Sequence, residues 1–509
     1  MDRPNILLIM CDQLRFDGIH ALGNDLIDTP NLDRLARRGL TFTNAYSTCP
    51  VCVPARYTLR TGCEPWHTGC YCNEVPEPLD GLAKTMEERC GPYLARVMAQ
   101  QGYETFGIGK FHTMPEFDED LGYHRQMNVE ELWANGAQRS KDAYAGFIAR
   151  EHPEYDHVEQ LHGERTNMYY MPQMSPLPAQ LTSEAFVAQS AVRELENIHG
   201  KPYFGFVSFI GPHPPCAPPV PYNRYYNPDA MGAPAPSNAE IDFMDEQLPW
   251  MNHLIWAEDI SPLLYRSLKS RYYGEITYID HCIGQILDAV DAREDRENTL
   301  ICFFSDHGDH LGDHHSWQKE SFFEAACHVP FLMSWPAQWG CAGDGPETGA
   351  GLWRDDQLIC LTDVFGIVSA AAGCEQLRDG HPILRVLNGA ATPRSHLTAC
   401  YGRPGTPQFK LMVRRGPWKY IYMANGGREQ LFNLDRNPEE TVLYNQSHGE
   451  VCRELRDYAQ EYCRRPGLYP ALTDGGLKAW PFESRPLMRI HQFDESSGVY
   501  GFIKEGETP

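Results

Sequence analysis

The chain has no long apolar run. None of its 509 residues lies in a stretch approaching the ~18 uninterrupted apolar residues of a membrane-spanning helix, and no membrane is expected as partner. The longest early run, Ile6 to Met10, is too short for the core of a secretory leader. Basic residues are scarce as well: 44 Lys and Arg stand against 68 Asp and Glu, a formal charge of −24 that argues against nucleic acid or an anionic bilayer surface. A regular cysteine spacing is also missing. Seventeen cysteines, an odd number scattered from Cys11 to Cys463, do not form the framework of a small stapled scaffold. Without an export signal they read as reduced thiols, and the expected compartment is the cytoplasm. What remains suits a globular protein. Apolar content is 42%, and the length exceeds that at which single cores stop growing, so one large and one smaller domain are expected.

Four apolar runs of strand length each end in polar residues. Asn5 to Met10 is followed by Cys11, Asp12 and Gln13; Tyr103 to Ile108 by Gly109, Lys110, Phe111 and His112; Tyr203 to Ile210 by Gly211, Pro212 and His213. Thr299 to Phe304 delivers Ser305, Asp306, His307, Gly308, Asp309 and His310, with His314, His315 and Lys319 beyond. Continuous apolar runs suit parallel strands buried on both faces, and open α/β sheets bind ligands at the carboxyl ends of such strands. Taken singly the residues are ambiguous: Asp12 suits a turn, Lys110 a solvated surface and His112 a cap. In extended chain, however, a Lys and a His two apart point to the same side. The Asp and His density after Phe304 is a credible metal site by composition alone. His213, at a strand end and before the proline-rich loop from Pro214 to Pro236, fits chemistry better than a core.

A second type of signal lies between Cys49 and Gly62. Thr41 to Ala45 reads as a strand leading into this stretch. Pro54 fits the first turn of a helix, which sets Cys52 just before a helix N-terminus and Arg56 one turn above it. As a pair, Cys49 and Cys52 could be a redox dithiol or half of a zinc site. The tight Cys70 and Cys72 spacing does not supply the other half. A buried structural thiol is the other plain reading.

Elsewhere, Thr29 reads as an N-cap before a helix from Pro30 to Arg38 that stops at Gly39. Ile276, Ile279, Ile283, Ile286, Leu287 and Val290 mark the core stripe of an amphipathic helix. After about residue 395 the texture changes. Phe409 to Arg414 and Trp418 to Met423 read as a β-hairpin, Gln430 to Leu434 as a strand, and Val451, Leu455, Tyr458, Ala459 and Tyr462 as a helix face. The expected domains are therefore 1–395 and 396–509.

From Cys52 to Gly62 the chain reads C-x-P-x-R followed by x-x-L-x-T-G, and this string resembles the sulfatase signature, with Ala55 where many members carry Ser. The stretches T-P-N-L-D-x-L-A from Thr29, G-K-x-H from Gly109 and L-F-N-L-D from Leu431 resemble the same family, in the same order. The resemblance implies an alkaline phosphatase-like α/β fold, with a large, mostly parallel mixed sheet sandwiched by helices and a smaller C-terminal antiparallel sheet with a helix. It implies hydrolysis of a sulfate monoester on a small anionic substrate, a carbohydrate sulfate. The nucleophile would be formylglycine, made from Cys52 by a maturating enzyme. Asp12, Gln13, Asp306 and His307 would hold one divalent ion that also binds residue 52, with Arg56 steadying the aldehyde hydrate. Lys110 and Lys319 would clamp sulfate oxygens, His213 would protonate the leaving oxygen, and His112 would take a proton from the hydrate.

Two positions depart from the commonest family pattern: Gln13 replaces a second Asp, and His307 replaces Asn. Calcium is the expected ion, but a histidine in its shell leaves manganese, magnesium and zinc open. The same pairs resemble choline sulfatases and phosphonate monoester hydrolases, and the latter are the alternative reading, as phosphonate monoester or phosphodiester hydrolases. Lys110 and His112, in the sulfatase form of G-K-x-H, tip the balance towards sulfur.

Overall fold

The computed structural model describes residues 3–74, 85–116, 118–130, 139–156, 170–236, 238, 245–248, 260–336, 339, 353–484, 489–493 and 500–503. The segments read as strands in the first part of the chain are strands, and they join three others in one sheet. These are β1 (Asn5–Cys11), β2 (Leu40–Tyr46), β3 (Glu104–Gly109), β4 (Arg125–Asn128), β5 (Tyr203–Phe209), β6 (Thr299–Ser305), β7 (Phe331–Ser334) and β8 (Trp353–Cys360), in the order β4-β3-β5-β1-β6-β7-β2-β8. Every neighbouring pair is parallel except the two made by β7. Register sets up the site: Cys11 at the end of β1 lies beside Phe209 of β5 and Ser305 of β6. The chains that continue from these three residues leave the sheet side by side.

Both faces of β1 are buried, as its unbroken apolar run requires. Leu7, Ile9 and Cys11 pack into one core with residues of α1 (Pro30–Arg37), α3 (Ser183–Asn197) and α4 (Pro262–Asp291). Ile6, Leu8 and Met10 pack into the opposite core with α2 (Cys52–Thr61) and α5 (Asp363–Ala371). The period of two along one strand thus feeds helical layers on both sides. Among the described residues no helix is long and apolar enough to cross a membrane.

Two helix starts differ from expectation. Thr29 does stand at the N-cap of α1, but its hydroxyl makes no capping bond and instead donates to Asp33 Oδ1 (3.2 Å). The first-turn amides of Asn31 and Leu32 are taken by Asp280 of α4, at 3.1 and 2.7 Å, so a buried carboxylate from another helix serves as the cap. Cys52 is the first residue of α2 rather than the residue before it, with extended Val51 as N-cap and Pro54 in the first turn. Gly62, at φ +68°, closes that helix in the left-handed conformation that favours glycine.

The C-terminal texture is an antiparallel sheet of β9 (Leu397–Tyr401), β10 (Lys410–Arg415), β11 (Trp418–Met423) and β12 (Arg428–Asn433), in the order β12-β11-β10-β9. One face packs on Leu455, Ala459 and Tyr462 of α6 (Gly449–Tyr462). The other shares a core with the large sheet, where Met412, Ile421 and Phe432 meet Tyr46 and Cys360. At that seam the wholly buried Lys419 is paired with Glu324 (2.8 Å) and Glu440 (2.7 Å).

Candidate active site

Asp12, the residue after β1, is fully buried and collects cations. Its Oδ2 accepts from Arg56 Nη2 (2.9 Å) and lies 2.6 Å from Lys110 Nζ. Arg56 reaches this point because it sits one turn into α2, and its fork bridges three elements. Nε donates to Asp306 Oδ2 (3.0 Å) and Nη1 to Ser208 Oγ (3.1 Å) and the Lys110 carbonyl. A planar guanidinium can hold two carboxylates in fixed relation where an ammonium cannot.

Cys52 lies on the other side of these carboxylates. Its Sγ is 3.2 Å from His307 Nε2 and 3.8 Å from Asp12 Oδ1. The His307 tautomer follows from its partner: the Gly308 carbonyl lies 2.9 Å from Nδ1 and can only accept, so Nδ1 carries the proton. Nε2 then points a lone pair into the group, 3.6 Å from Asp12 Oδ1 and 3.8 Å from Asp306 Oδ1. Burial pushes the His307 ring below its ordinary pKa, which keeps it neutral. One ligand atom from each of Asp12, Cys52, Asp306 and His307 falls within 4.8 Å of the others, and all four residues are buried. Two carboxylates and a neutral imidazole nitrogen held this close are a donor set that fits a divalent ion.

Gln13 joins this group through its backbone, while its side chain is engaged beside it. It holds a left-handed φ of +64°, fixed by its amide on Asp306 Oδ1 (3.1 Å) and by the Tyr272 hydroxyl donating to its carbonyl (2.8 Å). Its side-chain oxygen accepts from Lys319 Nζ (2.5 Å), and its nitrogen donates to Asp309 Oδ2 (2.5 Å). Lys319 also lies 3.1 Å from His213 Nε2. His213 Nδ1 lies 2.9 Å from the Pro214 carbonyl, so that nitrogen carries the proton and Nε2 faces Lys319 with its lone pair. The turn bearing Lys319 is tied to the Cys52 loop by Glu320 N donating to the Pro50 carbonyl (3.1 Å).

His112 departs from the extended geometry expected of it. The carboxylate of Glu130 accepts from both the Phe111 and His112 amides (2.8 and 3.1 Å), and His112 takes φ +49°. With the backbone wound in this way, two-residue alternation no longer relates its ring to Lys110. His310 and His314 have other partners, and His315 is exposed. His310 Nε2 pairs with Ser321 Oγ (2.6 Å), and His314 packs on the Phe323 ring with centroids 4.1 Å apart. The plain Cys49–Cys52 pair does not form: both thiols are free, and Cys49 Sγ faces the Tyr71 carbonyl at 3.5 Å.

Supporting residues lay outside the sequence reading. In the sequence Asp309 is one letter of a dense motif, yet its Oδ2 accepts from both Gln13 and the Tyr170 hydroxyl (2.7 Å). Glu130, Tyr170 and Ser208 carry no local pattern. Only the residues they meet, far away in the chain, mark them.

Electrostatics hold the centre in one charge state. Burial alone would raise the Asp12 carboxyl, but Lys110 and Arg56 hold it well below the usual carboxylate range. A depressed folded-state pKa contributes stability above the unfolded value, about 3.9, and loses it as pH falls through the folded value. Stability against denaturant is therefore expected to drop more steeply below about pH 4 in the natural chain than in Asp12→Asn. Equal slopes in the two proteins would count against this account. The Cys52 thiol moves the other way: burial and Asp12 push it up to about 11, so at neutral pH it is a protonated, weak nucleophile.

Comparison with known proteins gives the family and the fold. The family model described as Sulfatase matches residues 4–367. An arylsulfatase of Clostridium perfringens is 28% identical, with 96% of this chain and 100% of that protein covered. A choline-sulfatase of Rhizobium meliloti is 27% identical, covering 96% and 95%. Among solved structures, a phosphonate monoester hydrolase of Agrobacterium radiobacter superposes with a TM-score of 0.75 over 94% of this chain and all of that one, at 24% identity, a likeness of fold.

Proposed function

The chain belongs to the sulfatase family, and from that premise we propose that it hydrolyses a sulfate monoester carried on a carbohydrate. The nucleophile would be a formylglycine made from Cys52, and Asp12, Gln13, Asp306 and His307 would hold a divalent ion. The observation that carries the reading is the setting of Cys52. It opens a helix 3.2 Å from the lone-pair nitrogen of His307, amid two carboxylates whose charges Arg56 and Lys110 balance. When bound, the ion would draw charge from sulfuryl oxygens and the formylglycine hydrate would supply an oxygen nucleophile.

The chain's own residues do the rest. Arg56 keeps Asp12 and Asp306 at a fixed separation. Lys110 stands beside Asp12 and Lys319 beside Gln13 and His213, and their ammonium groups hold the anionic oxygens of the substrate inside a protein of net charge −24. His213 donates from Nε2: a proton placed there, opposite the Nδ1–H held by Pro214, passes to the leaving oxygen once Lys319 turns from the ring to the sulfate. His112 takes a proton from the hydrate so that sulfate can depart.

Conversion of Cys52 is tested directly by peptide mass, since an aldehyde in place of the thiol lowers the residue mass by about 18 Da. Active protein with an unmodified thiol at 52 would end this reading. The acid is tested through the leaving group. His213→Ala is expected to lower kcat/KM on a sugar sulfate by about 10²-fold, and much less on a nitrophenyl sulfate whose phenolate departs without a proton. Equal losses on both substrates would remove His213 from that role. Lys110→Ala, in contrast, is expected to cost both substrates about 10²-fold.

Gln13 and His307, the two departures from the commonest sulfatase pattern, favour a second reading: phosphonate monoesters or phosphodiesters cleaved by the same nucleophile. A panel of sulfated sugars, choline sulfate, an aryl sulfate, a phosphonate monoester and a phosphodiester decides between them. Much higher kcat/KM on the phosphorus esters would favour the second.

A further inference from the structure

A second group of metal-binding side chains lies at the opposite end of the Cys52 helix. Cys63, just past the Gly62 cap of α2, meets Cys90 at the end of the Met86–Cys90 helix and His67 in the Pro65–Thr68 turn. One ligand atom from each of the three residues lies within 4.8 Å of the others. Both cysteines are free and buried, and His67 is about a third exposed, at 35% of its side chain. The ring is already oriented. Asp379 Oδ2 lies 3.0 Å from Nδ1 and accepts the Glu64 amide at 2.9 Å, which fixes the carboxylate and leaves Nε2 for a metal. The pairing with Asp379, and Cys63 after it, raises the ring pKa to about 10, so Nε2 gives up a proton when a metal binds. A carboxylate behind a histidine is the usual outer partner of a metal-bound imidazole. The Met86 thioether, 3.8 Å from Cys90 Sγ, adds a further soft atom to the cluster.

We propose that Cys63, His67 and Cys90 form a zinc site, with Asp379 orienting the histidine and a water in the fourth position. Two thiolates and an imidazole are a zinc donor set, and three protein ligands beside a partly exposed ring leave room for solvent. Charge also balances. Two thiolates offset the ion, and Asp379 offsets Arg378, whose guanidinium donates to the carbonyls of Thr61 and Pro92 beside the cluster. Each thiol and the His67 ring give up one proton to solvent on binding, with no change of oxidation state. The site would tie the end of α2 to the 86–90 helix, and so brace the helix that carries Cys52. It is independent of the sulfatase reading.

The test is cobalt titration of the reduced, full-length Cys52→Ala protein, so that no thiol remains at the other group. One equivalent of Co²⁺ is expected to give a thiolate-to-metal charge-transfer band that Zn²⁺ abolishes. The band should be lost in Cys63→Ser and in Cys90→Ser. Asp379→Asn should weaken binding by roughly 10–100-fold. A missing band in Cys52→Ala, a band that survives both serine variants, or a Cys63–Cys90 disulfide in the purified chain would overturn the proposal. If the serine variants fail to fold, His67→Gln decides: the proposal stands on a shifted tetrahedral spectrum with weaker affinity, and falls if both are unchanged.

Discussion

Cys52→Ala is expected to abolish turnover while leaving the fold intact, with kcat lowered by about 10⁴-fold or more, the scale on which loss of a nucleophile is felt when the rest of a site remains. The side chain is small and buried, and its contacts are the His307 ring and the Asp12 carboxylate. Alanine therefore removes one sulfur atom without stranding a hydrogen-bonded network. Circular dichroism and the denaturation midpoint should match those of the parent, so lost activity cannot be assigned to unfolding. Parent protein produced without a maturating enzyme should behave like the variant, because a thiol raised to about 11 is not the nucleophile that the reaction uses. A Cys52→Ala protein retaining a tenth of parental turnover would move the chemistry to another residue.

Arg56→Ala is expected to have the largest effect on stability, about 3–5 kcal/mol, the range for breaking a buried ion pair from one side. The guanidinium is 1% exposed, and among the described residues it is the one lasting cation paired with both Asp12 and Asp306. Without it Lys110 remains beside Asp12, but Asp306 loses its only paired cation among the described ion pairs. Arg56→Lys should recover little, since one ammonium cannot span two carboxylates and Ser208 Oγ together. Added divalent cation should partly restore the unfolding midpoint of Arg56→Ala if the two carboxylates bind it, a readout separate from turnover. A loss below about 1 kcal/mol would show that the carboxylates do not depend on this counter-charge.

Much of the large sheet was legible because a parallel strand buried on both faces needs an unbroken apolar run, and β1, β5 and β6 are such runs in the sequence itself. The polar residues at their ends were legible for the same reason, since a strand's carboxyl end marks where its chain leaves the sheet. Asp12, Cys52, Lys110, His213, Asp306, His307 and Lys319 do converge. Strand boundaries shifted by a residue or two, as hydrogen bonding rather than hydropathy sets them.

Local pattern could not show which atoms face which. His307 offers Nε2 because the Gly308 carbonyl takes Nδ1, and His112 turns away from extended geometry because Glu130, on a neighbouring segment, claims its amide. His310 and His314, equally promising as letters in a dense motif, are used by Ser321 and Phe323 instead. Asp280 caps a helix that begins about 250 residues earlier, and Asp309 and Tyr170 support Gln13 from 296 and 157 residues away. The strands, the loop that opens the Cys52 helix and the order of the polar clusters follow from the amino-acid sequence alone, because those depend on burial and local backbone preference. Tautomers, capping partners and the choice among histidines were decided only by the tertiary structure, because each rests on one hydrogen bond between residues that nothing in the local sequence relates.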